Sequence, residues 1–104
     1  DRLMPTFVLA EITIHDKQKY ERYKELAPAS IFKYGGRYAA RGGEAEALEG
    51  RFEPERLVVL EFPSADAARR WWNSPEYSEA KRIRQSCSTA RIVLTEGPAL
   101  EPPK

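Results

Sequence analysis

From Thr6 to Ile14 the chain alternates. Val8, Ala10, Ile12 and Ile14 fall on one face of an extended strand, and Phe7, Leu9, Glu11 and Thr13 fall on the other. Both faces are largely apolar, so both are expected to be covered rather than one left in water. The period then lengthens. Asp16 is placed to cap a helix running to about Leu26, with Tyr20, Tyr23 and Leu26/Ala27 along one side. Pro28 has no N–H to give a helix interior, so it predicts a second, offset helical piece from Pro28 to Tyr34. Gly35-Gly36 supplies the positive φ of a helix stop.

Arg37 to Arg41 reads as a short strand broken by Gly42-Gly43, and Glu44 to Arg56 as an exposed, turn-rich hairpin arm. Leu57 to Phe62 is the clearest strand in the sequence. Ser64 caps a helical region with Ala65, Ala68 and Trp72 spaced for one face. Ser74-Pro75-Glu76 makes a fresh helix start, after which Ala80, Ile83 and Cys87 form the buried stripe. Thr89 to Glu96 closes the series as a strand. Strand, helix, strand, strand, helix, strand is the α+β, ferredoxin-like βαββαβ order, an antiparallel-type sheet with helices on one face. Residues 4–97 form one domain, followed by a Pro-rich tail over 98–104 that is expected to fray. The helix-free face carries Phe7, Leu9, Leu57, Val59 and Val93, too much apolar surface for water, so a homodimer through that face is expected.

At 104 residues the chain fits a single domain. A domain this small buries only about two-thirds of its unfolded surface, which again favours a partner subunit. With 17 Lys plus Arg against 16 Asp plus Glu, the signs interspersed, there is no electrostatic footprint for nucleic acid or a membrane surface. No apolar run approaches the roughly 20 residues that cross a bilayer. Asp1-Arg2-Leu3 is charged and short, unlike a secretory leader, and Met4-Pro5 reads as the native start. Cys87 alone cannot form an internal disulfide, in keeping with an expected cytoplasmic location.

Two strands set a carboxylate among apolar neighbours: Glu11 beside Phe7 and Leu9, and Glu61 beside Leu57 and Val59. In a ferredoxin-like sheet these two strands are expected to be parallel neighbours, which would let the two carboxylates approach each other. If Arg41 sits opposite Leu57, Arg37 sits opposite Glu61 on the same face. The set reads either as ion pairs satisfying charge at a subunit interface or as a carboxylate of raised pKa serving as general base. His15, the single histidine, titrates near neutrality without help and closes the first strand, as a pocket rim or a solvated linker. One His and one Cys cannot supply the four protein ligands of a structural zinc site.

The glycine pairs after Tyr34 and Arg41 fit no phosphate loop, since neither GxGxxG nor GxxxxGK[ST] occurs. An arginine at a strand end, Arg37 or Arg41, suits a clamp on a ligand carboxylate. Trp72 lies on the expected core stripe, while Trp71 points elsewhere, toward a subunit boundary. Tyr34, Trp72 and Tyr77 read either as core aromatics or as walls for a planar ligand. Cys87 is expected to be an inert buried thiol.

Taken in order, these segments resemble a known family. The resemblance rests on Met4-Pro5 leading into Ala10-Glu11, on Pro28, on Tyr34-Gly35-Gly36-Arg37 and on Arg41-Gly42-Gly43. It continues through Leu57-Val58-Val59-Leu60-Glu61-Phe62-Pro63 and Asn73-Ser74-Pro75-Glu76-Tyr77 to Arg84. The family is a small bacterial one of uncharacterised function within the dimeric α/β-barrel superfamily of ferredoxin-like domains. The resemblance implies a homodimer with two sheets packed face to face. Superfamily relatives include cofactor-independent monooxygenases, lactone isomerases, haem-degrading enzymes and stress-responsive proteins, several with ligands between sheet and helices. Haem-degrading members use an Asn, a His and a Trp together, and the spacing of Asn73, His15 and Trp71 or Trp72 does not match theirs.

Two functions are therefore expected to compete. One is a cofactor-independent, monooxygenase- or isomerase-like enzyme on a small anionic or aromatic metabolite. Glu11 or His15 would move a proton there, while Arg37, Arg41 and Glu61 contact the substrate beside Tyr34, Trp72 and Tyr77. The other is a non-catalytic, ligand-binding or stress-related homodimer.

Overall fold

In the computed structural model, which describes residues 5–54 and 56–97, Thr6–Ile14 forms the first strand (β1). Helix α1 (Lys17–Lys33) follows, then strands β2 (Arg37–Arg41) and β3 (Arg56–Phe62), helices α2 (Ala65–Trp72) and α3 (Pro75–Cys87), and strand β4 (Ser88–Glu96). The expected start at Met4 and the tail over 98–104 lie outside the described residues. The helix caps are local chemistry read correctly from sequence. Asp16, Ser64 and Ser74 each accept from the backbone N–H three residues on, at Lys19, Ala67 and Tyr77, and Pro75 fills the first turn of α3.

The four strands form one sheet in the order β2-β3-β1-β4, with every neighbour antiparallel. Element order and strand order are those of a ferredoxin-like domain. The expectation that β1 and β3 run parallel is corrected. Helix α1 returns the chain to the end where β1 began, β2 then runs with β1, and the β2–β3 connection reverses direction. Glu11 consequently faces Leu57 and Phe7 faces Glu61, which puts the two carboxylates at opposite ends of the strand pair. Arg37 does pair with Glu61, but a bulge between Tyr38 and Ala40 sets Arg41 opposite Val58 rather than Leu57. The extra residue turns Arg41 to the helix side of the sheet, away from Arg37.

The core lies between the sheet and the helices. Val8, Ala10, Ile12, Val58, Leu60 and Phe62 point into it from the strands, and Tyr20, Ala27, Ile31, Trp71, Tyr77, Ala80 and Cys87 from the helices. Within α2 the assignment of the tryptophans is reversed: Trp71 is buried at 2% exposure and Trp72 is half-buried. The buried stripe runs Ala67, Ala68, Trp71, so Trp71 follows both alanines at helical spacing. In α3 the stripe is Tyr77, Ala80, Arg84, Cys87, and Ile83, expected inside, is only half-buried.

Pro28 does not divide α1, which is one helix through Lys33. A proline at position 28 frees the carbonyl of Lys24, and Arg41 supplies the missing donor, its Nη2 lying 3.2 Å from that oxygen. We expect Arg41→Ala to cost about 1 kcal/mol in urea denaturation. The cost should shrink in a Pro28→Ala background, where the helix restores its own donor; equal costs in both backgrounds would refute the pairing.

Two layers account for a molecule only 16 Å across its shortest axis, and none of the described helices covers the second sheet face. Phe7, Leu9, Leu57 and Val59 are partly exposed there and Val93 is 50% exposed. No helix among the described residues is long and apolar enough to cross a membrane.

Candidate functional site

The strand residues that face the helices do not close completely against them. A cavity of about 30 Å³ remains between the sheet and helices α1 and α3, room for a water molecule or two. Its floor is aliphatic, from Val8, Ala10, Val58 and Leu60. Aromatic walls come from Tyr20 and Tyr23 on α1, Tyr38 on β2, Trp71 on α2 and Tyr77 on α3. Its cations are Arg41 from β2, Arg56 from β3, Arg84 from α3 and Lys24 from α1, the last paired with Glu21 at 3.0 Å. Among the described residues no carboxylate lines it.

Each arginine is held by local geometry. Arg84 sits on the inward stripe of α3 and is 3% exposed. Arg56 follows the inward alternation of Val58, Leu60 and Phe62. Gly42, at a φ of 72°, leaves room beside it, since a Cβ at position 42 would run into the Arg56 guanidinium. The Arg41 guanidinium lies 4.5 Å from the centre of the Tyr38 ring, and that of Arg56 lies 5.5 Å from the centre of Tyr20. None of the three pairs with a carboxylate among the described residues. The Nε atoms of Arg56 and Arg84 are buried without a hydrogen-bond partner.

The phenols are donors here. Burial raises Tyr20, opposed by the Arg56 charge, and raises Tyr38, opposed by Arg41. Burial also pushes Tyr23 well above its ordinary value, reinforced by Tyr77, whose hydroxyl lies 3.0 Å from that of Tyr23. At neutral pH these three rings keep their protons and cannot serve as bases. Guanidinium and phenol donors around an apolar floor can hold an anion or stabilise negative charge that develops on a bound molecule.

The residues singled out from sequence are distributed over five places. Arg41 and Tyr77 line the cavity. Trp72 lines a second, apolar pocket of about 200 Å³ beside it, bounded by Val8, Ala68, Trp71, Ile92 and Leu94. Glu11 and Glu61 lie on the opposite face of the sheet. Arg91 Nη2 reaches both Glu11 carboxylate oxygens at 3.0 and 3.1 Å, and Arg37 reaches Glu61 at 2.6 Å. His15 ends β1, its Nε2 2.7 Å from Thr89 Oγ1, outside the cavity lining.

Tyr34 lies at the end of α1 in a different cluster. Its hydroxyl donates to Glu76 at 2.8 Å, and Lys33 Nζ donates to the other carboxylate oxygen at 2.6 Å. Lys33 first, then Tyr34, holds Glu76 down at about 2. A carboxylate lowered on folding contributes stability above its unfolded value near 4.3 and loses it as pH falls toward 2. Glu76→Gln should therefore melt below wild type at pH 7 and match it at pH 2; a gap of unchanged size at both would disprove this role.

Tyr20, Tyr23, Tyr38, Arg56 and Arg84 were not assigned to a site from sequence. A charged residue at the inward position of a helix stripe (Arg84) or of a strand alternation (Arg56) is the signal that finds them.

These features define an α+β domain with a cationic, aromatic-walled cavity between its layers. Residues 5–98 match the family described as Domain of unknown function (DUF1330), and the chain belongs to it. No curated protein matches the chain in sequence. Among solved structures it is similar to RPA0582, a protein of unknown function from Rhodopseudomonas palustris. That pair shows 21% identity over 98% of this chain and 87% of the other, with a TM-score of 0.78. It is also similar to SnoaB, a cofactor-independent oxygenase from Streptomyces nogalater, at 16% identity over 96% and 99% of the two chains and a TM-score of 0.65. A hypothetical Arabidopsis thaliana protein aligns at 11% identity, over 97% and 93%, with a TM-score of 0.64. At these identities the likeness is one of fold.

Proposed function

We propose that this domain takes a small anionic or aromatic metabolite into the space between sheet and helices and acts on it without a cofactor. The observation that carries this reading is the cavity itself: aromatic walls, three arginines unpaired by any carboxylate and, among the described residues, no acid. The fold shared with a cofactor-independent oxygenase supports it. The protein's part in such chemistry is to bind, orient and stabilise an oxyanion through Arg41, Arg56, Arg84 and the Tyr23–Tyr77 hydroxyls. Glu11 and Glu61 serve the outer face as ion pairs with Arg91 and Arg37. A second reading, binding without turnover, draws on the cavity wall, in which no described residue is a carboxylate or an imidazole.

A homodimer fits the same reading, with a second copy covering Phe7, Leu9, Leu57, Val59 and Val93. Val93→Arg should halve the mass in sedimentation; an unchanged species in both proteins would remove the dimer.

The test of the site is a thermal-shift screen with small aromatics and anions, on wild type and on Ile92→Phe, which narrows both pockets. A ligand at 100 times its Kd stabilises by about 2.7 kcal/mol. Hits that weaken in the variant support the site. Hits indifferent to it, or none at all, refute it.

A further inference from the structure

The geometry points to a narrower ligand class than the reading above, on which it rests: we propose that the cavity binds the carboxylate of a small amphipathic acid between Arg56 and Arg84, with the acid's apolar body lying past Trp71 in the second pocket. Buried arginines are ordinarily paired, because an unpartnered buried charge or donor is costly. Here a buried arginine, Arg84, and a half-buried one, Arg56, line one cavity, each with a buried Nε lacking a partner, and no carboxylate answers them among the described residues. The chamber is small, and the Arg56 guanidinium lies 5.5 Å from the centre of the Tyr20 ring that walls it. Like charges lining one chamber repel, and one bound anion relieves the repulsion and satisfies both donors.

The shape selects the anion. The space is small and bounded by flat rings. Tyr77 stacks 4.2 Å from Trp71 at 36°, and Tyr20 packs 5.3 Å from Tyr23. A planar carboxylate suits flat walls and the guanidinium fork. The body of the ligand has a place to go. The second pocket, about 200 Å³, shares Val8, Trp71 and Ile92 with the first, so the two adjoin along these three residues. Apart from Arg69, its lining is apolar: Ala68, Trp72 and Leu94 beside the three shared residues. A cationic chamber next to an apolar one calls for a molecule with an acid head and an apolar body.

Isothermal titration with benzoate and 4-alkylbenzoates, against the matching benzamides and inorganic phosphate, tests this. Probes are run on wild type, Arg84→Met, Arg56→Met and the pocket-filling Ala68→Phe, each checked for native circular dichroism. Benzoates are expected to bind wild type at least tenfold tighter than benzamides. Each arginine variant should lose about 10- to 100-fold for benzoates and little for benzamides. Each methylene of the 4-alkyl chain should tighten binding about fourfold in wild type and much less in Ala68→Phe. Benzamides binding as well as benzoates would overturn the carboxylate assignment and leave the small-molecule cavity standing. Phosphate binding more tightly than benzoate would overturn the planar head. A flat alkyl series would overturn the second chamber. No binding of any probe would overturn both this assignment and the reading beneath it.

Discussion

Trp71→Ala is expected to cost about 3–5 kcal/mol of folding stability. Its ring packs against Phe62 at 5.3 Å, Tyr77 at 4.2 Å and Trp72 at 6.0 Å. Its Nε1 donates to Ser30 Oγ at 3.1 Å, and that hydroxyl in turn donates to Ala27 O at 2.7 Å, so the side chain ties α2 to α1. Truncation removes a wall shared by the two pockets and leaves a void no neighbour can fill without moving a strand. Trp71→Phe, which keeps most of the packing and gives up the donor, should cost well under half as much. Guanidinium denaturation followed by circular dichroism measures both. A loss below about 1.5 kcal/mol for the alanine variant would show that the two layers do not depend on this ring.

Arg84→Met should do the reverse and stabilise the protein, by about 1–3 kcal/mol. The arginine is 3% exposed with its Nε unpartnered, and no carboxylate faces it among the described residues. A methionine of similar reach keeps the packing against α1 and the sheet and drops the desolvated charge. The side chain thus costs stability in the empty protein, as residues retained for function often do. The gain would appear as a raised midpoint at unchanged slope in denaturant. A drop in stability instead would mean that the guanidinium has a structural partner.

The fold was legible where local rules act. The alternation of Thr6–Ile14, the Ser and Asp caps and Pro75 at a helix start each depend on a few adjacent residues, and the four strands and the starts of the helices formed within a residue or two of their expected bounds. What failed depended on contacts distant in sequence. The helix through Pro28 persists because Arg41 answers the freed Lys24 carbonyl from another element. The β1–β3 direction follows from the path of the whole chain. The bulge at Ala39 moved Arg41 to the helix side, where no pattern in Arg37–Arg41 would put it. Arg41 and Tyr77, both candidates from sequence, line the cavity, Arg41 through the bulge and Tyr77 through the inward stripe of α3. Arg56 and Arg84 were passed over because charged residues are ordinarily read as solvated, although both occupy inward positions of an apolar repeat.

The place of β1 in the sheet has a consequence for how the protein is made. Its two neighbours are β3 and β4, encoded in the second half of the chain. On a ribosome this strand, apolar on both faces, emerges before the other strands of the sheet and waits for residue 56 before any partner exists, and for residue 88 before its second edge is covered. Neither α1 nor β2 can close it in the meantime. The sheet becomes a cooperative unit only once β4 has been made, and until then its most adhesive segment is an open edge.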